Sequence, residues 1–556
     1  MPNDRNEGAC PVRSHRLPRI GAAVVAVAVL VAGCGAGGRA GSGSAAPDAG
    51  DTLTFGIDAV PACFDVHATS ADSAAEIQRN VLDSLVSEDA GHGFHPWLAT
   101  SWTVSPDFTS YTFHLRHGVT FTDGTPFTAE AVKANFDHIV APGTKSQYAV
   151  NLMGPYAGTT VVDSHTARVD FSRPFGSFLR AAGTPYLGFY SPKVLAERAG
   201  ELCAGGPADV GTGPFAFTRY TQGQSIVLTR NPRYAWAPGT ADHQGPARLR
   251  SVVLRILPED STRVGALSSG QIDGARSIPP IRVKTLEADS NLSLMRRDQP
   301  GATYGIHLNT TAAPLDDQRV RLAVQQGVNV GLDVGAVYFG QYERSWGPLS
   351  PATPFYDPSL NGSLRHDPVA AGRLLDQAGW TGRDAQGYRT RAGRRLTLYW
   401  PALPAGAGRQ QRGLLDQAVQ ADLARIGIEV LHPNLTAGEY NAKLAAGKYH
   451  LFSVSWAGAD PDLLRLFFNG AHRPPAGTDV SLLDDAAVNR STDAGAATAD
   501  PAVRGAAYAG AQQRVLRLGA VLPLYVPASI NGFSRDVHGV AFDVNAWLMF
   551  HGAWKA

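Results

Sequence analysis

The run Ser453-Val454-Ser455-Trp456-Ala457-Gly458-Ala459-Asp460-Pro461-Asp462 brings an indole, two hydroxyls and two carboxylates into one short stretch. An apolar segment, Tyr449 to Val454, leads into it. The strand ends in Trp456 and a Gly-containing loop that bears both carboxylates. Strand ends are where α/β proteins bind ligands. Ser455, Trp456, Ala457, Gly458 and Asp460 are therefore candidate ligand contacts. The plainer alternative is a buried core Trp followed by an Asp-Pro turn, with Asp462 capping the next helix.

Other constellations carry less. Asp316-Asp317 and Asp484-Asp485 read as helix caps rather than paired catalytic carboxylates. His114 and His117 are close in sequence, but strand alternation puts His114 on a solvated face, so no metal site is expected. Gly211-Thr212-Gly213-Pro214-Phe215-Ala216 formally fits a dinucleotide fingerprint, yet a strand follows it and Pro214 lacks an N–H, so a turn is expected. There is no Gly-x-Ser-x-Gly elbow, no His-Glu-x-x-His and no Walker loop. The chain is not expected to be an enzyme, and no cofactor is expected.

The cysteines carry chemistry of another kind. Arg13, Arg16 and Arg19 precede an uncharged run from Ile20 to Ala32, and Val31-Ala32-Gly33-Cys34 closes it. That is a basic region followed by an apolar region too short to span a bilayer comfortably. Cys34 after small residues has the pattern of a lipobox, with residues 1–33 as a removed signal and Cys34 acylated; an ordinary secretory signal is the alternative. Residues 34–50, mostly Gly, Ala and Ser, read as a flexible tether. The Gly33-x-Gly35-x-x-Gly38 inside it has no flanking strand or helix and is a chance match. With Cys10 in the signal, Cys63 and Cys203 remain as a pair in an oxidising compartment. A disulfide is the economical reading, two buried thiols the alternative.

The 556 residues carry a net charge of +1 and 17% charged residues, which argues against a nucleic-acid partner. Alternation predicts a strand over Thr52–Ile57, another over Tyr111–Leu115 and a short one at Val119 and Phe121. Apolar spacing predicts a helix over 75–85, and a second after Thr128 with Val132, Phe136 and Ile139 on one stripe. A helix over 414–426 followed by a strand over 428–431 gives the βα alternation of an α/β layer.

Several motifs in order then carry a resemblance: Trp102, Asp107-Phe108-Thr109, Tyr111 to Arg116, Gly118 to Phe121, Asp123-Gly124, Thr128-Ala129-Glu130, Gly211 to Phe215, Leu267 to Asp273, Asp317 to Ala323, Gly379-Trp380 and Leu522 to Tyr525. Together they resemble the family-5 extracellular solute-binding proteins of peptide- and nickel-type ABC importers. Ala131 departs from that pattern where an Asp is usual, as does Val328-Asn329-Val330 at a helix end.

The resemblance implies an α/β fold of two periplasmic-binding-protein-like lobes joined by a hinge, with an additional α+β domain in the first lobe. The first lobe would take 51–85, 211–310 and 515–556, the extra domain 86–210, and the second lobe 311–514. It also implies that Trp456 flanks the ligand as a wall, that Asp460 pairs with a peptide's amino group and that Ala59 and Val60 run beside the ligand, with Tyr304, His307 and Asn309 near the lobe crossover as a third candidate set. The implied function is a monomeric, lipid-anchored receptor on the extracytoplasmic face of the cell membrane. It would pass a short peptide or other small solute to a separately encoded permease and its ATPases. The alternative is an envelope lipoprotein that uses the same fold as an interaction or regulatory module.

Overall fold

The computed structural model describes residues 51–402, 411–474 and 477–556. The predicted strand Thr52–Ile57 forms as expected, with Leu53, Phe55 and Ile57 buried. It lies inside a seven-stranded sheet and pairs in parallel with Ser251–Ile256. The sheet runs in the order Leu292–Asp298, Ala528–Ser534, Gly274–Ala275, Thr52–Ile57, Ser251–Ile256, Ser225–Arg230, Phe215–Thr221. This is the sheet of the first lobe.

A second sheet has three antiparallel strands, Leu451–Ala457, Gly301–Leu308 and Val521–Tyr525, with Gly301–Leu308 central and buried throughout. Helices Gln318–Gly327, Val330–Tyr338 and Pro501–Arg517 accompany it. Gly301–Leu308 and Val521–Tyr525 pair with each other and with Leu451–Ala457, not with the seven-stranded sheet. The chain passes between the two sheets at 298–301 and 525–528. There the chains lie side by side, with the Gln299 N–H donating to the Pro527 carbonyl (2.8 Å).

A separate four-stranded sheet, in the order Ala99–Val104, Ser110–Leu115, Thr166–Phe171, Tyr156–Asp163, packs against helix Ala129–Val140. Tyr111, Phe113 and Leu115 point inward and His114 outward, as the alternation predicts. Val132, Phe136 and Ile139 form the buried stripe of the helix. Thr128 occupies the N-cap position, but its hydroxyl donates to Glu130 rather than capping a backbone N–H.

Two local expectations change. The helix predicted over 75–85 occupies Asp72–Gln78 instead. Beyond it the chain turns because its polar groups have buried partners elsewhere. Asn80 donates to the Leu548 carbonyl, and Asp83 accepts from Thr212 and from the Trp236 indole. Val119 and Phe121 are buried from a loop that makes only an isolated bridge between Thr120 and Pro126. Gly211 to Pro214 bends into the strand Phe215–Thr221, as expected, and its glycines serve close packing. A Cβ at Gly211 would lie 2.1 Å from the Val81 carbonyl oxygen, and one at Gly213 would lie 2.5 Å from it. Cys63 and Cys203 are joined in a disulfide. The leader, Cys34 and the tether lie outside the described residues.

Candidate functional site

A cavity of about 690 Å³ lies between the seven-stranded sheet and the three-stranded sheet of Leu451–Ala457, Gly301–Leu308 and Val521–Tyr525, and Gln299, Pro300 and Pro527 line it where the chain crosses. On the first-lobe side its wall is held by Arg276, which is almost fully buried. The Arg276 guanidinium donates to Asp58 (2.7 Å), pairs with Glu76, and donates to the Ala59 carbonyl (3.0 Å). Charge-assisted bonds of this kind fix the backbone just after Thr52–Ile57. The backbone at Ala59 is thereby ordered beside the cavity.

The second-lobe wall is built differently. Ser455, Trp456 and Ala457, at the end of strand Leu451–Ala457, line the cavity together with Arg412 and Tyr342. Arg412 is the first residue of helix Arg412–Arg425, whose N-terminus has no side-chain cap. Its guanidinium lies 4.2 Å from the centroid of the Tyr304 ring. It donates to the Tyr525 hydroxyl (3.1 Å) and to the Ser455 hydroxyl (3.0 Å). No carboxylate among the described residues pairs with it. The Trp456 indole N–H is buried and likewise has no acceptor among the described residues. Arg412 and the helix start it belongs to thus line a cavity whose opposite side carries Asp58, Asp72, Glu76, Glu259 and Asp260, so the cleft presents both signs of charge, an arrangement suited to a solute with a carboxylate and polar groups of its own.

Of the residues expected from the sequence, Ala59, Ser455, Trp456 and Ala457 line this cavity. Tyr304 lies beneath it as the platform under Arg412. Val60 packs against the first-lobe core. His307 is buried, with its ring stacked on Phe468 (5.0 Å between centroids), and burial pushes its pKa down to about 3. Asn309 ties the Gly447 and Tyr449 carbonyls. Gly458 donates to the Pro300 carbonyl.

Asp460 does not line the cavity. Its carboxylate accepts from Arg504 (2.9 and 3.2 Å) and from the backbone N–H of Asp462 (2.8 Å). Asp462 is not a side-chain cap either, because Arg465 grips both its oxygens and the Tyr508 hydroxyl donates to it. Asp317 and Asp485 do cap helices, as expected. Sequence reasoning missed Arg412. An arginine in the first turn opposes the helix macrodipole, and that misfit is the signal that could have found it.

The comparisons fit this architecture. Residues 93–474 match the family model described as bacterial extracellular solute-binding proteins, family 5 middle, and the chain belongs to that family. It is a solute-binding protein of the kind that serves ABC importers of peptides and related solutes. The glutathione-binding protein GsiB of Escherichia coli K12 is 28% identical over 464 residues, covering 81% of this chain and 83% of the relative. The DppA protein of Helicobacter pylori, solved with the peptide STSA, superposes with a TM-score of 0.77 at 25% identity, covering 91% of this chain and 98% of the other. NikA of Brucella suis, solved with Fe(III)-EDTA, gives 0.78 at 24% identity, covering 91% and 100%.

Proposed function

We propose that this protein is a monomeric receptor, anchored by lipid on Cys34 to the outer face of a membrane. It takes a short peptide or peptide-like solute into the cleft and hands it to a permease and ATPases encoded separately. The observation that carries the ligand class is Arg412, a cation in the cavity wall that bonds hydroxyls and rests on an aromatic ring and that no carboxylate pairs with among the described residues. A ligand carboxylate supplies that anion, and the Trp456 N–H takes a ligand carbonyl. The names of the relatives agree in chemistry, since glutathione and the peptide STSA both bear carboxylates and amides.

The test is native mass spectrometry of protein purified without refolding, followed by calorimetry with glutathione and with the tetrapeptide STSA. A retained species with a carboxylate, and binding weakened about ten- to a hundredfold in Arg412→Ala, are expected. A retained ligand without a carboxylate, or unchanged binding in Arg412→Ala, overturns the ligand class. The anchor is tested separately by Cys34→Ser, which should move the protein out of the membrane fraction. Membrane retention of that variant, with processing like the wild type, overturns the anchor.

A further inference from the structure

The loop after Trp456 is held from outside its own lobe. The Ala459 N–H donates to the Asn545 side chain (3.1 Å), and the Trp456 ring lies 4.8 Å from that of Tyr148, which belongs to the four-stranded module. Asp460 completes the joint. Besides Arg504, its carboxylate accepts from the Ser177 hydroxyl (3.4 Å) and faces the Arg180 guanidinium (3.7 Å). Ser177 and Arg180 both come from the module. Ser177 also accepts from Arg504 (3.1 Å), and Arg180 is itself held by both oxygens of Glu88 (3.0 Å each). Beside this network the backbones touch. The Gly176 N–H donates to the Ala496 carbonyl (2.7 Å), and a Cβ at Gly176 would fall 2.0 Å from the Thr498 carbonyl.

We propose that Asp460 is a clasp between the four-stranded module and the second lobe, a positioning residue that sets the Trp456 wall without touching the ligand. The inference rests on the reading of the cavity as the solute site. The carboxylate is only 14% exposed and its oxygens are engaged by two guanidiniums, a hydroxyl and a backbone N–H. A buried charge so engaged resists the loss of any one partner. When module and second lobe part, Asp460 keeps Arg504 but loses Ser177 and Arg180. The joint therefore favours the arrangement in which Trp456 faces the cavity. It also withdraws Asp460 from any pairing with a ligand amine.

Hydrogen–deuterium exchange of the intact protein tests this without a known ligand. In Asp460→Asn, amide exchange in 174–180 and 456–462 should rise about tenfold or more, while Thr52–Ile57 and Ser251–Ile256 keep wild-type protection. Ser177→Ala removes the bridging hydroxyl from the opposite side, conserves the charges, and should raise exchange in the same two segments to a smaller degree. Wild-type exchange there in both variants overturns the clasp. So does a uniform rise that includes the seven-stranded sheet, which marks general destabilisation. Neither result bears on the ligand class, which Arg412→Ala reads out separately.

Discussion

The guanidinium of Arg412 rests 4.2 Å above the ring of Tyr304, a residue of the central, fully buried strand of the second sheet. Tyr304 in turn lies 5.0 Å from Tyr525, whose hydroxyl receives Arg412. The cavity cation is thus set by the core beneath it. Tyr304→Phe keeps the aromatic face and should bind the retained solute as the wild type does. Tyr304→Leu removes the face and should weaken binding several-fold, in line with about 0.5–2 kcal/mol for a cation–π contact. Calorimetry on the two variants separates the outcomes. Equal binding by both denies the ring its role.

Trp456 should report ligand entry by a shift or quench of its fluorescence, because its indole N–H gains an acceptor. Trp456→Phe keeps an aromatic wall and loses only the donor. Its affinity should fall by about three- to tenfold, the worth of one neutral hydrogen bond. If titration of Trp456→Phe gives the wild-type signal change, the emission arises at another tryptophan.

The Cys63–Cys203 bridge spans a sequence separation of 140 residues. In the chain-entropy account a loop of that size contributes up to about 5 kcal/mol. The double variant Cys63→Ser/Cys203→Ser should unfold at a clearly lower denaturant midpoint, with a raised m-value because the denatured chain is no longer held compact by the cross-link. Peptide mapping should find neither cysteine alkylated before reduction. Native alkylation of both would dismiss the bridge.

His307 gives an acid limit to stability. Burial depresses its folded pKa to about 3, and burial also holds His67 at about 4. The contribution of each is complete above the unfolded value of about 6.5 and is lost as pH falls through the folded one. Within that window each such imidazole costs about 1.4 kcal/mol per pH unit. His307→Leu should therefore flatten the acid arm of a stability profile between pH 6 and 4. A slope equal to the wild type would show that the histidine ionises freely in the fold.

Periodicity made much of the fold legible. Thr52–Ile57 and Ser110–Leu115 carry period-two burial, and Val132, Phe136 and Ile139 carry the helical stripe. The helix over 75–85 failed because Asn80 and Asp83, which interrupt the apolar pattern, are satisfied by residues far along the chain. The site was legible where it lies on strand ends, at Ser455, Trp456 and Ala457. It was hidden where partners are distant. Arg504 is 44 residues from Asp460 and Ser177 is 283 residues away, so no local pattern could show that the carboxylate is already engaged.

The strand Ala528–Ser534 sits between Leu292–Asp298 and Gly274–Ala275, in the interior of the first-lobe sheet. Synthesis delivers its neighbours more than two hundred residues earlier. Until it arrives the sheet has an open slot, with unpaired N–H and C=O groups along Leu292–Asp298. The seven-stranded sheet is therefore completed only after the intervening segment, residues 299–527, has been made. A chain truncated before Ala528 would leave an exposed edge, the feature that invites pairing with a neighbouring chain.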